Sequence, residues 1–382
     1  MKVVIVGGVA GGATAAARLR RLDEKMEIIM IERGEYISFA NCGLPYYVGG
    51  VIQDKRDLTL QSKEGFYSRY RVDVRINSEV IEIDTKGKRV KIKDSSNEYF
   101  ETYDKLILSP GAKPRDIGIK KHEGMFTVRN IPDIFSIDRY ITNNNAKTAV
   151  VLGAGFIGIE MAENLLHRGL KVSIIDSAPH ILPSADVEAA HELQNYMKEC
   201  GLELYLSEKV VDVKKDKKLV IETDKRRIES DIVIMATGVV PDTDVVVKAG
   251  LKCTDRGAIV VDDYMKTSSK DVYALGDAVQ IKHFVTNQHV VSPFASSANK
   301  QARLVANNIC GIDEKYKGTI GTSILKFGDM VLASTGITEK TAQALGYDYE
   351  KSFTYSPSNA TYYPGAMNIS IKTIFDKKTG KI

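Results

Sequence analysis

The chain has 382 residues, with 53 Lys+Arg against 49 Asp+Glu, 30 Gly, 4 Cys and no Trp. At roughly 100–200 residues per domain, that length holds two or three domains. A composition of 43% hydrophobic and 27% charged residues excludes a disordered, collagen-like or disulfide-scaffold chain. A net charge of +4 is no nucleic-acid footprint, and Lys214, Lys215, Lys217 and Lys218 alternate with Asp212 and Asp216 as a solvated hairpin.

No apolar run reaches the ~18 residues of a membrane span. Lys2-Val3-Val4-Ile5-Val6 is a β-branched run suited to a buried parallel strand, not the core of a signal peptide. A glycine turn follows, then a helix from about Ala13 to Leu22 and a strand, Ile28 to Ile31, that ends at Glu32. Tyr103 to Leu108 is a further strand and exits through Ser109-Pro110-Gly111. The opening series then recurs. Ala149 to Leu152 is the strand, Gly153-Ala154-Gly155-Phe156-Ile157-Gly158 the turn, and a helix runs to about Arg168 before Val172 to Ile175 leads to Asp176. Asp231 to Met235 exits at Gly238, and Val272 to Leu275 at Gly276-Asp277. After Gly318 the strands Ser323–Phe327 and 368–374 alternate apolar and polar, the period of a half-exposed antiparallel sheet.

Two βαβ units more than 100 residues apart imply two nucleotide-binding domains. In the second, Gly153 permits the tight turn, Gly155 lets backbone approach a pyrophosphate, and Gly158 lets helix and strand pack closely. The helix N-terminus offers free N–H groups to phosphate. Asp176, 18 residues after Gly158, stands where an acid accepts from a ribose 2′-hydroxyl. The first copy is irregular: Gly7, Val9 and Gly12 occupy the three glycine positions, with Gly8, Ala10 and Gly11 keeping the turn slim. Glu32, 20 residues after Gly12, supplies its acid.

Cys42, Cys200, Cys253 and Cys310 are scattered, without a C-x-x-C and without a metal site, as suits a reducing cytoplasm. Three of them read as structural. Cys42 lies in Ser38-Phe39-Ala40-Asn41-Cys42-Gly43-Leu44-Pro45, just beyond Glu32. It is expected to open a helix, where the N-terminus and cationic neighbours lower a thiol pKa and make the thiolate nucleophile.

The segment Thr267 to Asp277 resembles the second flavin motif of the pyridine nucleotide-disulfide oxidoreductase family. Gly7 to Thr14, Ser38 to Cys42 and Asn359 to Gly365 resemble its single-cysteine branch, the coenzyme A-disulfide reductases and NADH-dependent persulfide or polysulfide reductases. The resemblance implies an α/β fold of two doubly wound nucleotide-binding domains, the NAD domain inserted in the FAD domain, plus a C-terminal α+β interface domain. The expected divisions are 1–112 and 253–318 for FAD, 113–252 for NAD and 319–382 for the interface domain, which reads as truncated. FAD is then held by Gly7, Ala10, Gly11, Gly12, Glu32, Arg33, Asn41, Ser109, Gly111, Gly276, Asp277 and Ala295. NADH, favoured over NADPH by Asp176 with Ser177 and Ala178 after it, is held by Gly153, Gly155, Gly158, Asp176 and Gly238. Tyr47 stands where two-cysteine relatives carry the second thiol, so the resolving thiol must come from the substrate, as a mixed disulfide with Cys42, or be replaced by a sulfenic acid. A coenzyme A derivative is expected at Thr14, Arg18, Arg21, Ser38, Asn41 and Asn299, although Tyr70 replaces a lysine common in this branch. The implied protein is a cytoplasmic homodimer that passes electrons from NADH through FAD to Cys42. Two rivals stay open: an NADH oxidase or peroxidase cycling a Cys42 sulfenic acid, and a redox-sensing flavoprotein acting by partner binding.

Overall fold

The structure, a computed structural model, describes residues 1–382. Two parallel five-stranded sheets organise it. In chain order the first contains β1 (Lys2–Val6), β2 (Glu27–Ile31), β3 (Asp73–Arg75) and β4 (Lys105–Leu108). The second contains β5 (Met125–Thr127), β6 (Thr148–Leu152), β7 (Lys171–Asp176), β8 (Glu203–Leu206) and β9 (Ile232–Met235). The chain then returns to complete the first sheet with β10 (Val272–Ala274). The strand orders are β10-β4-β1-β2-β3 and β8-β7-β6-β9-β5. Val3, Val4 and Ile5 are fully buried, as are Val151 and Ile174, because each sheet is covered on both faces, by helices and by a three-stranded antiparallel sheet.

Those helices are α1 (Ala10–Leu22), α2 (Leu44–Val48), α3 (Lys63–Tyr70), α4 (Ile131–Asn143), α5 (Phe156–His167), α6 (Val187–Glu199), α7 (Asp244–Lys248) and α8 (Ala295–Ile309). α1 begins at Ala10, earlier than the expected Ala13, so the slim residues Ala10, Gly11 and Gly12 form its first turn. α4 carries a capping box, with Asn130 and Asp133 satisfying one another's backbone N–H groups.

The chain crosses between the sheets on a two-stranded antiparallel ribbon, Ala112–Pro114 against Val239–Pro241. Val246 of α7 and Leu251 are buried in the core of the first sheet. Residues 244–251 therefore pack with the first domain, whereas the sequence reading carried the second domain to 252; no change of composition marks the return. Each domain also bears a three-stranded antiparallel sheet. In the second, the lysine-rich turn after Val210–Lys215 is a hairpin, with Asp216 N donating to Lys218 O at 3.0 Å.

After Gly318 come β11 (Ser323–Phe327), β12 (Met330–Ser334), α9 (Glu339–Ala344), β13 (Tyr349–Pro357) and β14 (Asn368–Asp376). Leu325, Phe327 and Leu332 are buried in the core of the second domain. The β13–β14 hairpin projects, leaving Phe353, Tyr355, Ile369 and Ile371 exposed. The hairpin is tied down near its middle by Lys372, whose Nζ bonds Glu188 at 3.0 Å and also reaches Asp186 and Glu339. No helix is long and apolar enough to cross a membrane.

Candidate active site

The crevice opens at the carboxyl ends of β1, β2 and β4, where a doubly wound sheet binds its ligand. A cavity of about 310 Å³ is lined by Gly7, Ala10, Gly11, Glu32, Arg33, Asn41, Ser109, Gly111, Gly276 and Asp277, all expected from the sequence. A second cavity of about 370 Å³ continues it past Gly7, Glu32 and Arg33 toward Val80, Asp242 and Lys248. Together they form an elongated groove suited to a dinucleotide.

Three observations test whether FAD fits there. A Cβ on Gly11 would come within 2.3 Å of Leu275 and 2.6 Å of Ser109 Oγ, so only glycine leaves the turn slim. Asp277 is mostly enclosed and has no hydrogen-bond partner in the protein; burial pushes its carboxyl up, and Arg129 partly opposes this. Gln301 accepts from Gly276 N at 2.7 Å through Oε1, while its buried Nε2 has no partner. A hydroxylated chain beside Gly276-Asp277 would satisfy such groups.

Glu32 does more than the sequence reading assigned. Its Oε2 accepts from Gly8 N and its Oε1 from Gly34 N, both at 2.8 Å, so it holds the glycine turn in shape. Asp176 does the same in the second module, accepting from Ala154 N at 2.6 Å and Ala178 N at 2.8 Å. Carboxylate lone pairs remain on each for a ribose hydroxyl. Gly155 faces open space, as close approach of a pyrophosphate demands, and Gly238 (φ +101°) sits near the Arg115 guanidinium. Two expected residues do not line the cavity. Gly12 lies beneath it, where a Cβ would meet Gly7 O at 1.8 Å; Ala295 begins α8, and Ala298 one turn later forms the wall.

Sequence reasoning missed Arg129, Tyr36 and Asn130, which also line the cavity. Arg129 donates from Nε to Ala112 O at 2.5 Å. It lies just before α4, far in sequence from the glycine turn, and no motif announces it.

Cys42 sits in a short turn, Asn41–Gly43, ahead of α2 and beside the cavity wall at Asn41. Ser38 starts the segment in the left-handed region (φ +46°) and donates from N to Gly8 O at 3.0 Å. The expected lowering of the thiol pKa is not built into the protein. α2 has only five residues and begins at Leu44, and the charged group acting on Cys42 is an acid. Although the Cys42 residue is open to solvent, partial enclosure first, then the Glu160 carboxylate, push its thiol up. Glu160 itself is pushed up to about 7 by burial and by Glu163. Tyr47 packs edge-on against Phe135, ring centroids 5.6 Å apart, and Cys42 is a free, exposed cysteine.

The remaining expected residues line the seam between α1 and α8 and its end. Thr14 Oγ1 donates to Asn299 Oδ1 at 2.8 Å, and Arg18 Nε to Asn307 Oδ1 at 2.9 Å. Arg21 turns to α3, donating to Tyr70 Oη at 3.3 Å, while Arg69 lies over the same ring.

Two parallel nucleotide-binding sheets, a groove across the first and a cysteine next in sequence to Asn41 of its wall define a two-nucleotide redox enzyme. The chain belongs to the pyridine nucleotide-disulphide oxidoreductase family, whose profile matches residues 1–302, with the family's dimerisation domain matching 322–382. It is 34% identical to an NADH oxidase of Methanocaldococcus jannaschii over 100% of this chain and 86% of that protein. It is 35% identical to a coenzyme A disulfide reductase of Staphylococcus haemolyticus, covering 98% of this chain and 85% of the relative. The reduced CoADR-RHD of Bacillus anthracis superposes with a TM-score of 0.97 at 44% identity, over all of this chain and 70% of that one.

Proposed function

We propose that this chain is an FAD-dependent reductase that takes electrons from NADH and delivers them through Cys42 to a coenzyme A disulfide, coenzyme A persulfide or polysulfide. The observation that carries this reading is Cys42 beside Asn41 of the groove wall, with Tyr47 in the place of a second thiol and the Thr14–Asn299 bond between α1 and α8. FAD, when bound, supplies the two-electron relay between nicotinamide and sulfur. Gly7, Gly11, Glu32 and Asp277 hold it; the second module, with Gly155 open and Asp176 at its strand end, takes NADH. Asp176 is followed by no arginine, which disfavours a 2′-phosphate.

Cys42 as thiolate attacks one sulfur of RS–SR′, forming Cys42–S–SR and releasing R′S⁻, which takes a proton. Two electrons from NADH then break the mixed disulfide and return the Cys42 thiolate. The balance is NADH + H⁺ + RS–SR′ giving NAD⁺ + RSH + R′SH. Arg18 and Arg21, on the α1 stripe begun by Thr14, suit the phosphates of coenzyme A. The exposed apolar face of β13–β14 and the dimerisation-domain match support a homodimer. Four free cysteines fit a reducing cytoplasm.

The resemblance disfavours the oxidase reading, since the histidine common in the first glycine loop of such enzymes is replaced here by Ala10. Cys42→Ser tests the proposal. We expect acceptor reduction to fall by at least about 10³-fold, since a serine hydroxyl forms no nucleophilic anion at neutral pH. Flavin reduction by NADH should persist. Near-normal coenzyme A disulfide turnover in that variant would refute the reading; NADH-dependent oxygen consumption exceeding disulfide turnover in wild type would favour the oxidase.

A further inference from the structure

The cysteine segment follows the first module in sequence but is seated on the second. Leu44, Val48 and Leu58 are buried in the core built around β6 and α5, not in that of the first sheet. α2 packs against both α4 and α5. So short a helix leaves its last carbonyls without intrahelical partners, and side chains at the end of α5 supply them. Arg168 Nη1 donates to Val48 O at 3.0 Å. His167 Nδ1 lies 2.8 Å from Gly49 O, where only an N–H can donate. Arg168 is itself held by α4, bonding Asp138 and, through Nη2, Thr142 Oγ1 at 2.9 Å.

Gly49 completes the seat. A Cβ there would come within 2.2 Å of Asn164 Oδ1. Asn164 is buried and its amide donates to Glu160 O at 2.8 Å, so it cannot readily yield. Glu160, Asn164 and His167 follow one stripe of α5, spaced by four and three residues. Cys42 thus hangs between two anchors: Ser38 on the glycine turn of the first module, and Val48-Gly49 on the helix of the second.

We infer that Asn164, His167 and Arg168 are positioning residues for Cys42, clamping the end of α2 and so fixing the place of the sulfur. The inference rests on the reading of Cys42 given above. It adds that one helix carries both tasks: α5 starts at the Gly153–Gly158 turn and ends at the clamp. At ~1.5 Å per residue its twelve residues span about 18 Å.

The test uses FAD-loaded, full-length Arg168→Ala, Arg168→Lys and His167→Ala. Three quantities are measured: flavin reduction by NADH, kcat and KM for coenzyme A disulfide, and iodoacetamide alkylation of Cys42 relative to Cys200 in the same molecule. Arg168→Ala should lower kcat about tenfold, the effect of losing a charge-assisted hydrogen bond. Flavin reduction and KM should stay within about twofold, and the Cys42/Cys200 alkylation ratio should rise at least threefold as the segment loosens. Arg168→Lys should recover much of the kcat, because an ammonium still donates to Val48 O. His167 is exposed, so His167→Ala should fold even where Arg168→Ala does not, with the same changes at smaller size.

Unchanged kcat with an unchanged or lowered alkylation ratio would overturn the inference. So would a loss of flavin reduction in step with turnover, which marks a general structural defect. The alkylation ratio needs no substrate, so it judges the clamp even if Cys42→Ser shows the proposed chemistry to be wrong.

Discussion

The two modules are copies in backbone and opposites in use. In each, the first glycine has positive φ (+97° at Gly7, +108° at Gly153) and the third lies under the first one's carbonyl. In each, an acid at the end of the second strand accepts from an amide in the turn. The helices differ along one stripe. Counting from the third glycine, Thr14, Arg18 and Arg21 in α1 occupy the positions of Glu160, Asn164 and His167 in α5. The first set meets Asn299, Asn307 and Tyr70; the second meets the cysteine segment. The shared scaffold is thus set by the turn, and the task of each copy by three outward positions on its helix.

The sharpest break of that comparison removes what the copies share. In Gly12→Ala the new Cβ would fall 1.8 Å from Gly7 O, and in Gly158→Ala 2.0 Å from Gly153 O. Backbone cannot yield that much without parting helix from strand. Each variant should lose more than about 3 kcal/mol, by analogy with severe overpacking, seen as aggregation or low soluble yield. Gly155→Ala, whose Cβ meets nothing within 4 Å, should keep normal stability and lose NADH affinity alone. Thermal melts and NADH titration separate the cases. A soluble, fully stable Gly12→Ala would show that the turn is looser than its geometry.

A smaller asymmetry lies just before β4 of the first sheet and β9 of the second. Asp231 accepts from Lys147 N at 2.9 Å, Thr148 N at 3.0 Å and Thr148 Oγ1 at 2.9 Å. Asp104, its counterpart, accepts from Lys2 N alone, at 2.6 Å. Burial would raise the Asp231 carboxyl, but these bonds and Lys218 outweigh it and hold it at about 2. A depressed acid stabilises the fold above its unfolded pKa of 3.8 and loses that contribution as pH falls toward 2. Asp231→Asn should therefore cost about 2 kcal/mol at pH 7, with the gap to wild type closing near pH 2. Asp104→Asn should cost about half as much or less. Urea melts across that pH range check both; equal losses would mean that the bond count does not set the difference.

Most of the scaffold was legible because its signals are local. A β-branched run and three slim positions report on residues close in space and sequence, and they place Gly7 and Gly153 in the turns; Glu32 and Asp176 were legible as acids at strand ends, but not as the acceptors that brace those turns. Asp277 was legible through a strand-to-glycine exit of the same kind. What failed to show is long-range. Val246 and Leu251 fold back on the first core without any change in composition. Arg129 reaches the groove from before α4. The environment of Cys42 depends on Glu160, 118 positions later, so a local reading expected a lowered pKa where the fold raises it. Tertiary electrostatics leave no period in a sequence.

The finest test isolates that electrostatic effect at the stripe position where α1 carries Thr14 and α5 carries Glu160. Burial, then Glu163, push Glu160 up to about 7. Below that pH Glu160 is mostly neutral and exerts little field on Cys42; above it the carboxylate opposes formation of the Cys42 thiolate. Glu160→Gln removes the charge and keeps the shape. At pH 6 wild type and variant should alkylate Cys42 at nearly equal rates. As pH rises through 7 the variant should pull ahead, by about two- to fourfold at pH 8. The wild-type profile should accordingly rise less steeply with pH than a single thiol titration. Iodoacetamide rates from pH 5.5 to 9, with Cys200 as internal reference, give both curves. Parallel profiles would show that Glu160 does not titrate against Cys42, and the contrast between the two stripes would then be one of packing alone.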